Sequence, residues 1–190
     1  NYSSGETNLA MRSLKRALGA DDPDYPWKKL FDPIGMKSAV FERDGSGTFV
    51  GSSYLSATPR DFARFGYLFL RGGKWKGKTV VPEEWVKLAS TPSPAMEHSR
   101  IDHRPKNAAY GYGWWLNAAM PKSGIAKAFP DFPDDAYMAS GHDGQDVIVV
   151  PSWDLVFARF ASDRFGHRLD LESVGRILKN SRKPGRGGSR

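Results

Sequence analysis

Cysteine is absent from the 190 residues, which excludes a disulfide frame, a thiolate nucleophile and a cysteine zinc site together. Histidine is scarce, and its four positions lack the spacing, such as His-x-x-x-His, that a metal site on one helix face requires. No cofactor is expected. No uncharged apolar run approaches the roughly 18 residues that span a bilayer, so no membrane span is expected in this chain. Apolar residues at 39% and aromatics at 13% exclude disorder as the main state and fit one ordinary domain or two small ones.

Acidic residues are missing from one stretch in particular. The last twelve residues, KNSRKPGRGGSR, hold Lys179, Arg182, Lys183, Arg186 and Arg190 without a single acid, and setting these aside reduces the net charge from +7 to +2. A nucleic-acid surface places its bases on a folded face or among aromatics. Here they fall in a Gly/Pro/Ser-rich segment, so residues 179–190 are expected to be a basic disordered tail and nucleic acid is not expected as a partner. The chain opens at Asn1 without an initiator methionine or a signal-like segment, and is expected to be part of a longer one. Its compartment is therefore open.

Periodicity predicts an α+β protein. Leu9, Ala10, Leu14, Ala17 and Leu18 lie on one face of a helix entered through Ser3-Ser4-Gly5-Glu6 and ended at Gly19. A second helix runs from Pro26 to Gly35, a short strand covers Ser38 to Glu42, and Thr58-Pro59 opens a helix reaching Leu70. Trp75 to Val81 has the composition of a turn-rich connection; Pro82-Glu83-Glu84 then starts a helix ending near Ser90. Thr91 to Asn107 shows no period and marks a loop and an internal boundary. Beyond it the period shortens. Tyr110–Leu116, Ala136–Ala139, Asp146–Val150 and Leu155–Phe160 are expected as strands, with a tight turn at Pro151–Asp154 and a closing helix over Leu169–Leu178.

Chemistry is sparsely marked. No Gly-x-Ser-x-Gly elbow occurs, and no serine is followed three residues later by lysine. Asp134-Asp135 has the character of a solvated turn. Two short features remain: Tyr2-Ser3-Ser4 directly before a helix, and Ser140-Gly141-His142-Asp143-Gly144-Gln145 between two strands. Taken alone, a turn tyrosine is a packing residue and a Gly-rich strand link is a bend.

Their order along the chain resembles the penicillin-recognising serine hydrolases, in the class C β-lactamase-like branch that holds esterases, D-aminopeptidases and nylon-oligomer hydrolases. Tyr2-Ser3-Ser4 is similar to the family's Tyr-x-Asn motif, and LFDPIGM at Leu30–Met36 to its Phe-x-Pro-Leu-Gly-Met segment. GSSYLSATPRDFARFG from Gly51 and YGYGWW from Tyr110 also have family counterparts, as does GQDVIVVPSWDLVFARF from Gly144. His142-Asp143-Gly144 stands where Lys-Thr-Gly would.

The resemblance implies a β-lactamase-like fold without its N-terminal part. Residues 1–105 would belong to the helical region, and 106–178 would be the later strands and last helix. The implied reaction is acyl transfer from a small ester or amide to a serine and then to water. Tyr2 would be general base and acid, with His142 assisting and the Gln145 backbone N–H as oxyanion donor. Ser4, Asp143 and Gly144 would contact substrate, with Tyr54, Tyr112 and Trp114 lining an acyl pocket. Ser-x-x-Lys would come from a missing N-terminal segment of the same protein, and the chain alone is expected to be inactive. Ser4 in place of asparagine and His142-Asp143 in place of Lys-Thr argue against efficient β-lactam hydrolysis. A periplasmic or secreted location is implied by the resemblance only. The alternative is a non-catalytic penicillin-binding-like module recognising cell-wall peptide or a protein partner.

Overall fold

A computed structural model describes residues 3–19, 23–97, 109–163 and 169–182. These divide into two compact units, one ending at Lys87 and the other beginning at Leu88.

The first unit opens with α1 (Ser4–Leu18), whose first turn is capped by Ser3: its hydroxyl accepts from the Glu6 N–H, and its backbone is extended at φ −149°. The segment expected as one helix from Pro26 is built in two parts, a π-helical turn Trp27–Phe31 running into the short α2 (Asp32–Ile34). Gly35 closes it in the left-handed region, φ 75°. This places Phe31 and Ile34 inward, where they form a core with Met36, Ala39 and Leu68. The expected strand at Ser38–Glu42 is only β1 (Val40–Phe41), antiparallel to β2 (Leu55–Ser56).

Helix α3 (Pro59–Leu70) has the predicted bounds: the Thr58 side chain caps it and Pro59 occupies its first position. Its apolar side contributes Leu68 and Phe69 to the buried set. The connection expected at Trp75–Val81 contains a small hairpin, β3 (Lys74–Trp75) with β4 (Lys78–Thr79). Lys76 and Gly77 turn it at φ 47° and 80°, the paired positive angles that suit a two-residue hairpin turn. Helix α4 (Glu83–Ala89) follows, with two acids in its first turn.

The second unit is a five-stranded antiparallel sheet in which spatial order equals chain order: β5 (Ala109–Tyr110), β6 (Trp115–Leu116), β7 (Tyr137–Ser140), β8 (Asp146–Val150) and β9 (Leu155–Arg159). The single strand expected over Tyr110–Leu116 is a hairpin. Gly111, where a Cβ would lie 2.1 Å from the Ala89 carbonyl oxygen, and Gly113 at φ 90° turn the chain between Tyr110 and Trp115. Every residue of β8 is buried, so its run of branched apolar side chains is covered on both faces.

The excursion from β6 to β7 is irregular, and Asn117, fully buried, holds it. Its amide donates to the carbonyls of Phe129 (3.0 Å), Phe132 (3.2 Å) and Pro133 (2.9 Å), and its oxygen accepts from the Phe129 N–H at 2.8 Å. The closing helix α5 is Leu171–Ser181, three residues into the stretch expected as tail; 183–190 lie outside the described residues. Gly175 admits it against the Phe132 ring, 2.8 Å from where a Cβ would stand. Of the expected loop Thr91–Asn107, Pro94–Glu97 forms a 3₁₀ turn and residues from 98 on lie outside the described set. Among the described residues no helix is long and apolar enough to cross a membrane.

Asp61 gives the first unit a pH dependence. Burial by itself raises its carboxyl, but the Ser38 hydroxyl (2.6 Å), the Ser38 N–H (2.9 Å) and the Arg64 guanidinium outweigh burial and hold it below the ordinary value. With the folded value depressed, the unfolded chain takes up the proton first. The stabilisation is complete above about pH 4 and is lost as pH falls through the folded value. Asp61→Asn is expected to cost about 1.5–3 kcal/mol in urea unfolding at neutral pH. The gap from the parent should close in acid below about pH 4; an unchanged gap would assign Asp61 to packing alone.

Candidate functional site

The β7–β8 hairpin carries the most chemistry in the second unit. Four residue pairs hold the two strands in register from Tyr137↔Val149 to Ser140↔Asp146, and the last is reinforced by the Ser140 hydroxyl donating to Asp146 Oδ1 at 2.8 Å. Gly141 N–H then donates to the Gln145 carbonyl at 2.7 Å, leaving His142, Asp143 and Gly144 at the tip. Asp143 and Gly144 both take positive φ, 56° and 86°. The His142 side chain is 94% exposed, with Nε2 3.3 Å from the Asp143 carboxylate. For the Gln145 backbone N–H, no backbone acceptor occurs among the described residues.

The loop is held from the segment that continues β9. Arg159, opposite Asp146 across the β8–β9 pairing, donates through Nη1 to the Gly144 carbonyl (3.3 Å) and to Asp163 Oδ2 (2.6 Å), while Nη2 reaches Asp163 Oδ1. The bond from Asp163 raises the Arg159 pKa, against the effect of burial, so the guanidinium is charged at any working pH. Asp163 N–H donates to the Asp143 carbonyl at 2.9 Å. The Gln145 side chain donates to the carbonyls of Ala161 and Asp143.

These contacts give Gly144 a reason different from the substrate approach inferred for it above. A Cβ there would lie 2.4 Å from Asp163 Oδ2 and 2.6 Å from Arg159 Nη1, so the ion pair fills the space a side chain would need.

The other expected site residues are distributed over both units. Ser4 is the exposed first residue of α1, and Tyr2, the expected general base, lies outside the described residues. In the first unit Tyr54 is 59% exposed and left-handed at φ 63°. In the second Tyr112 is exposed, whereas Trp114 is 3% exposed and meets the Tyr137 ring edge-on at 5.0 Å. Trp114 is thus a core residue of the sheet, where a pocket-lining one was expected. Tyr137 is equally buried, and burial, aided by the Asp135 charge, pushes its phenol above the ordinary range, so it stays neutral.

Arg159 and Asp163 were not anticipated as site residues. The available signal was an arginine ending an otherwise apolar strand with an acid four residues on. A cavity of about 180 Å³ lies elsewhere, in the first unit between α1 and the Arg43–Phe49 turn, and includes none of the expected site residues. No group of three or more His, Asp or Glu arranged for a metal ion occurs among the described residues.

Gly144→Ala should separate backbone strain from collision when compared with Gly113→Ala, whose site has φ 90° and open space within 4 Å. Gly113→Ala is expected to cost about 1–2 kcal/mol of left-handed strain. Gly144→Ala should cost a further 1–3 kcal/mol or so, because the added methyl displaces the ion pair. Equal costs in urea unfolding would mean that the pair yields without penalty.

Comparison with known proteins places this geometry in context. Residues 1–178 match the family described as Beta-lactamase. The 6-aminohexanoate-dimer hydrolase of Paenarthrobacter ureafaciens is 27% identical over 169 residues, 85% of this chain and 38% of that protein. A beta-lactamase from Mycobacterium bovis superposes with TM-score 0.69 at 19% identity, over 95% of this chain and 63% of that one. A penicillin-binding protein homologue from Caulobacter crescentus does so with TM-score 0.65 at 15% identity, over 91% and 55%. The chain thus spans less than two thirds of each.

Proposed function

The chain belongs to the beta-lactamase family, a family of hydrolases with the α+β fold described above, and from that premise we propose that it is part of a serine hydrolase acting by acyl transfer on a small ester or amide. The observation that supports this reading is the β7–β8 loop. It presents an exposed imidazole and, three residues on, a Gln145 N–H without a backbone acceptor among the described residues, on a backbone braced by Arg159. The amide side of the proposal draws on the curated relative, named for hydrolysis of a 6-aminohexanoate dimer.

In this proposal the nucleophilic serine and its lysine come from a part of the whole protein beyond this chain, which contains no Ser-x-x-Lys. Tyr2 takes the serine proton as the Oγ–carbonyl bond forms. A free phenol with pKa about 10 is ionised about one part in a thousand at neutral pH, so about 4 kcal/mol of cationic help is required. The lysine supplies it, with His142 assisting. The oxyanion is received by the Gln145 N–H and the serine's own N–H. Collapse breaks the ester C–O or amide C–N bond, and Tyr2 returns the proton to the leaving group. Water then attacks the acyl-serine, losing its proton to Tyr2, and Tyr2 passes that proton to the serine Oγ as the acyl C–Oγ bond breaks and the acid is released.

Ser4 and His142 set the substrate class. A carboxylated bicyclic lactam meets neither an asparagine amide nor a fixed lysine cation here, whereas a simple ester needs only attack, proton transfer and the oxyanion donors.

Two outcomes are expected of the whole protein. Tyr2→Phe should lower kcat by about 10²-fold or more with unchanged thermal unfolding, since acid–base catalysis contributes 10²–10⁴-fold; near-normal kcat would make Tyr2 structural. The parent kcat/KM for p-nitrophenyl acetate or butyrate should exceed that for nitrocefin. A nitrocefin value about tenfold above the esters, worth about 1.4 kcal/mol of transition-state preference, would overturn the ester and amide assignment.

A further inference from the structure

We infer that Arg159 is a positioning residue for the acyl-transfer site, acting on the oxyanion donor through the peptide bond between Gly144 and Gln145. The inference rests on the function proposed above, in which the Gln145 N–H receives the developing negative charge.

The Gly144 carbonyl and the Gln145 N–H belong to one peptide group, planar and with the two bonds pointing in opposite directions. A donor that grips the oxygen therefore sets the direction of the N–H. Arg159 Nη1 is that donor, 3.3 Å from the Gly144 oxygen. The guanidinium cannot swing away, because both of its terminal nitrogens are engaged by the Asp163 carboxylate. An arginine fork on a carboxylate fixes a plane as well as a distance.

Two further ties brace the same loop. The Asp163 N–H donates to the Asp143 carbonyl at 2.9 Å, one peptide earlier, and the Gln145 side chain reaches the Ala161 carbonyl. The segment from Arg159 to Asp163 thus holds three consecutive loop residues. Glycine at 144 is what lets it approach, since a Cβ would fall inside van der Waals contact of both charged groups.

The need for such bracing follows from the loop's conformation. Asp143 and Gly144 are both at positive φ, and the tip lies beyond the last β7–β8 ladder pair, Ser140↔Asp146, so its peptide planes are set by contacts other than that ladder. An oxyanion hole works only when its donors already point to where charge will develop, at about 2.7–3.1 Å. Arg159 touches neither substrate nor reacting atoms in this arrangement; its effect is carried by the peptide.

The test combines kinetics of the whole protein with spectroscopy of the present chain. For p-nitrophenyl acetate, Arg159→Ala is expected to lower kcat by about 10²-fold at a KM within about twofold of the parent. Added guanidinium ion should restore part of that kcat at an unchanged folded fraction by circular dichroism. A kcat within about threefold of the parent in folded protein, or a loss that guanidinium leaves untouched, would overturn the inference. Should Arg159→Ala not fold, Arg159→Lys decides: it keeps a charge for Asp163 but lacks the fork, and the same loss of kcat is expected. In ¹⁵N–¹H spectra of the present chain, Arg159→Lys should move the Gln145 amide resonance while that of Gly113 stays; an unmoved Gln145 resonance would equally overturn it. A parent protein without turnover or burst would instead refute the proposed function, with the spectroscopic result still reporting on the peptide.

Discussion

The ion pair between Arg159 and Asp163 is the interaction on which the β7–β8 loop depends. Both side chains are largely withdrawn from water, at 23% and 8% exposure, so each would be costly to leave without the other. The carboxylate takes both guanidinium nitrogens, and the remaining donor capacity of Nη1 goes to a main-chain carbonyl. Desolvation of the pair is thereby offset by hydrogen bonds that also order the backbone. Asp146, opposite Arg159 across the strands, adds a second negative charge to the same neighbourhood.

A related economy recurs away from the loop. Irregular chain must find partners for its N–H and C=O groups wherever water is excluded. In the β6–β7 excursion one amide, Asn117, serves three carbonyls and one N–H. In the first unit the Asp61 carboxylate joins the start of α3 to Ser38, whose hydroxyl also accepts from the N–H of the helix cap Thr58 at 2.9 Å. Asp135 does the same for the β8–β9 turn, accepting from both the N–H and the hydroxyl of Ser152. Each is a short planar side chain with more than one acceptor or donor, placed where regular hydrogen bonding stops.

The long-period elements were legible in the sequence. Thr58-Pro59 with Phe62, Phe65, Phe69 and Leu70 specified α3 to the residue, and the run to Val150 specified β8, which the structure shows buried throughout. What escaped were features governed by single backbone angles. The turn inside Tyr110–Leu116 depends on Gly113 at φ 90°, and that of the β3–β4 hairpin on Lys76, a residue with no compositional preference for φ 47°. The β7–β8 hairpin that carries His142 and Gln145 was legible as two strand-like runs around a Gly-rich link, because that pattern is local. Arg159 and Asp163 were not, since an i,i+4 pair past the end of a strand has no periodic signature and meets the loop only after the sheet has formed. Trp114 precedes β6 and is buried because its ring packs edge-on against Tyr137 of β7, a contact that no local pattern announces.

The uncrossed order of the five strands also bears on how the chain reaches this state. Strands β7 to β9 are joined by five residues and then four, whereas β6 and β7 are separated by twenty, Asn117 to Ala136. By loop-closure entropy the longer connection costs about 1.2 kcal/mol more than the five-residue one, before any contact rewards it. Pairing of β7, β8 and β9, like that of β5 with β6 across four residues, is thus less demanding in chain entropy than joining β6 to β7. The bracing residues Arg159 and Asp163 sit at the far end of that three-stranded meander, so the candidate site belongs to the part of the sheet with the most local contacts.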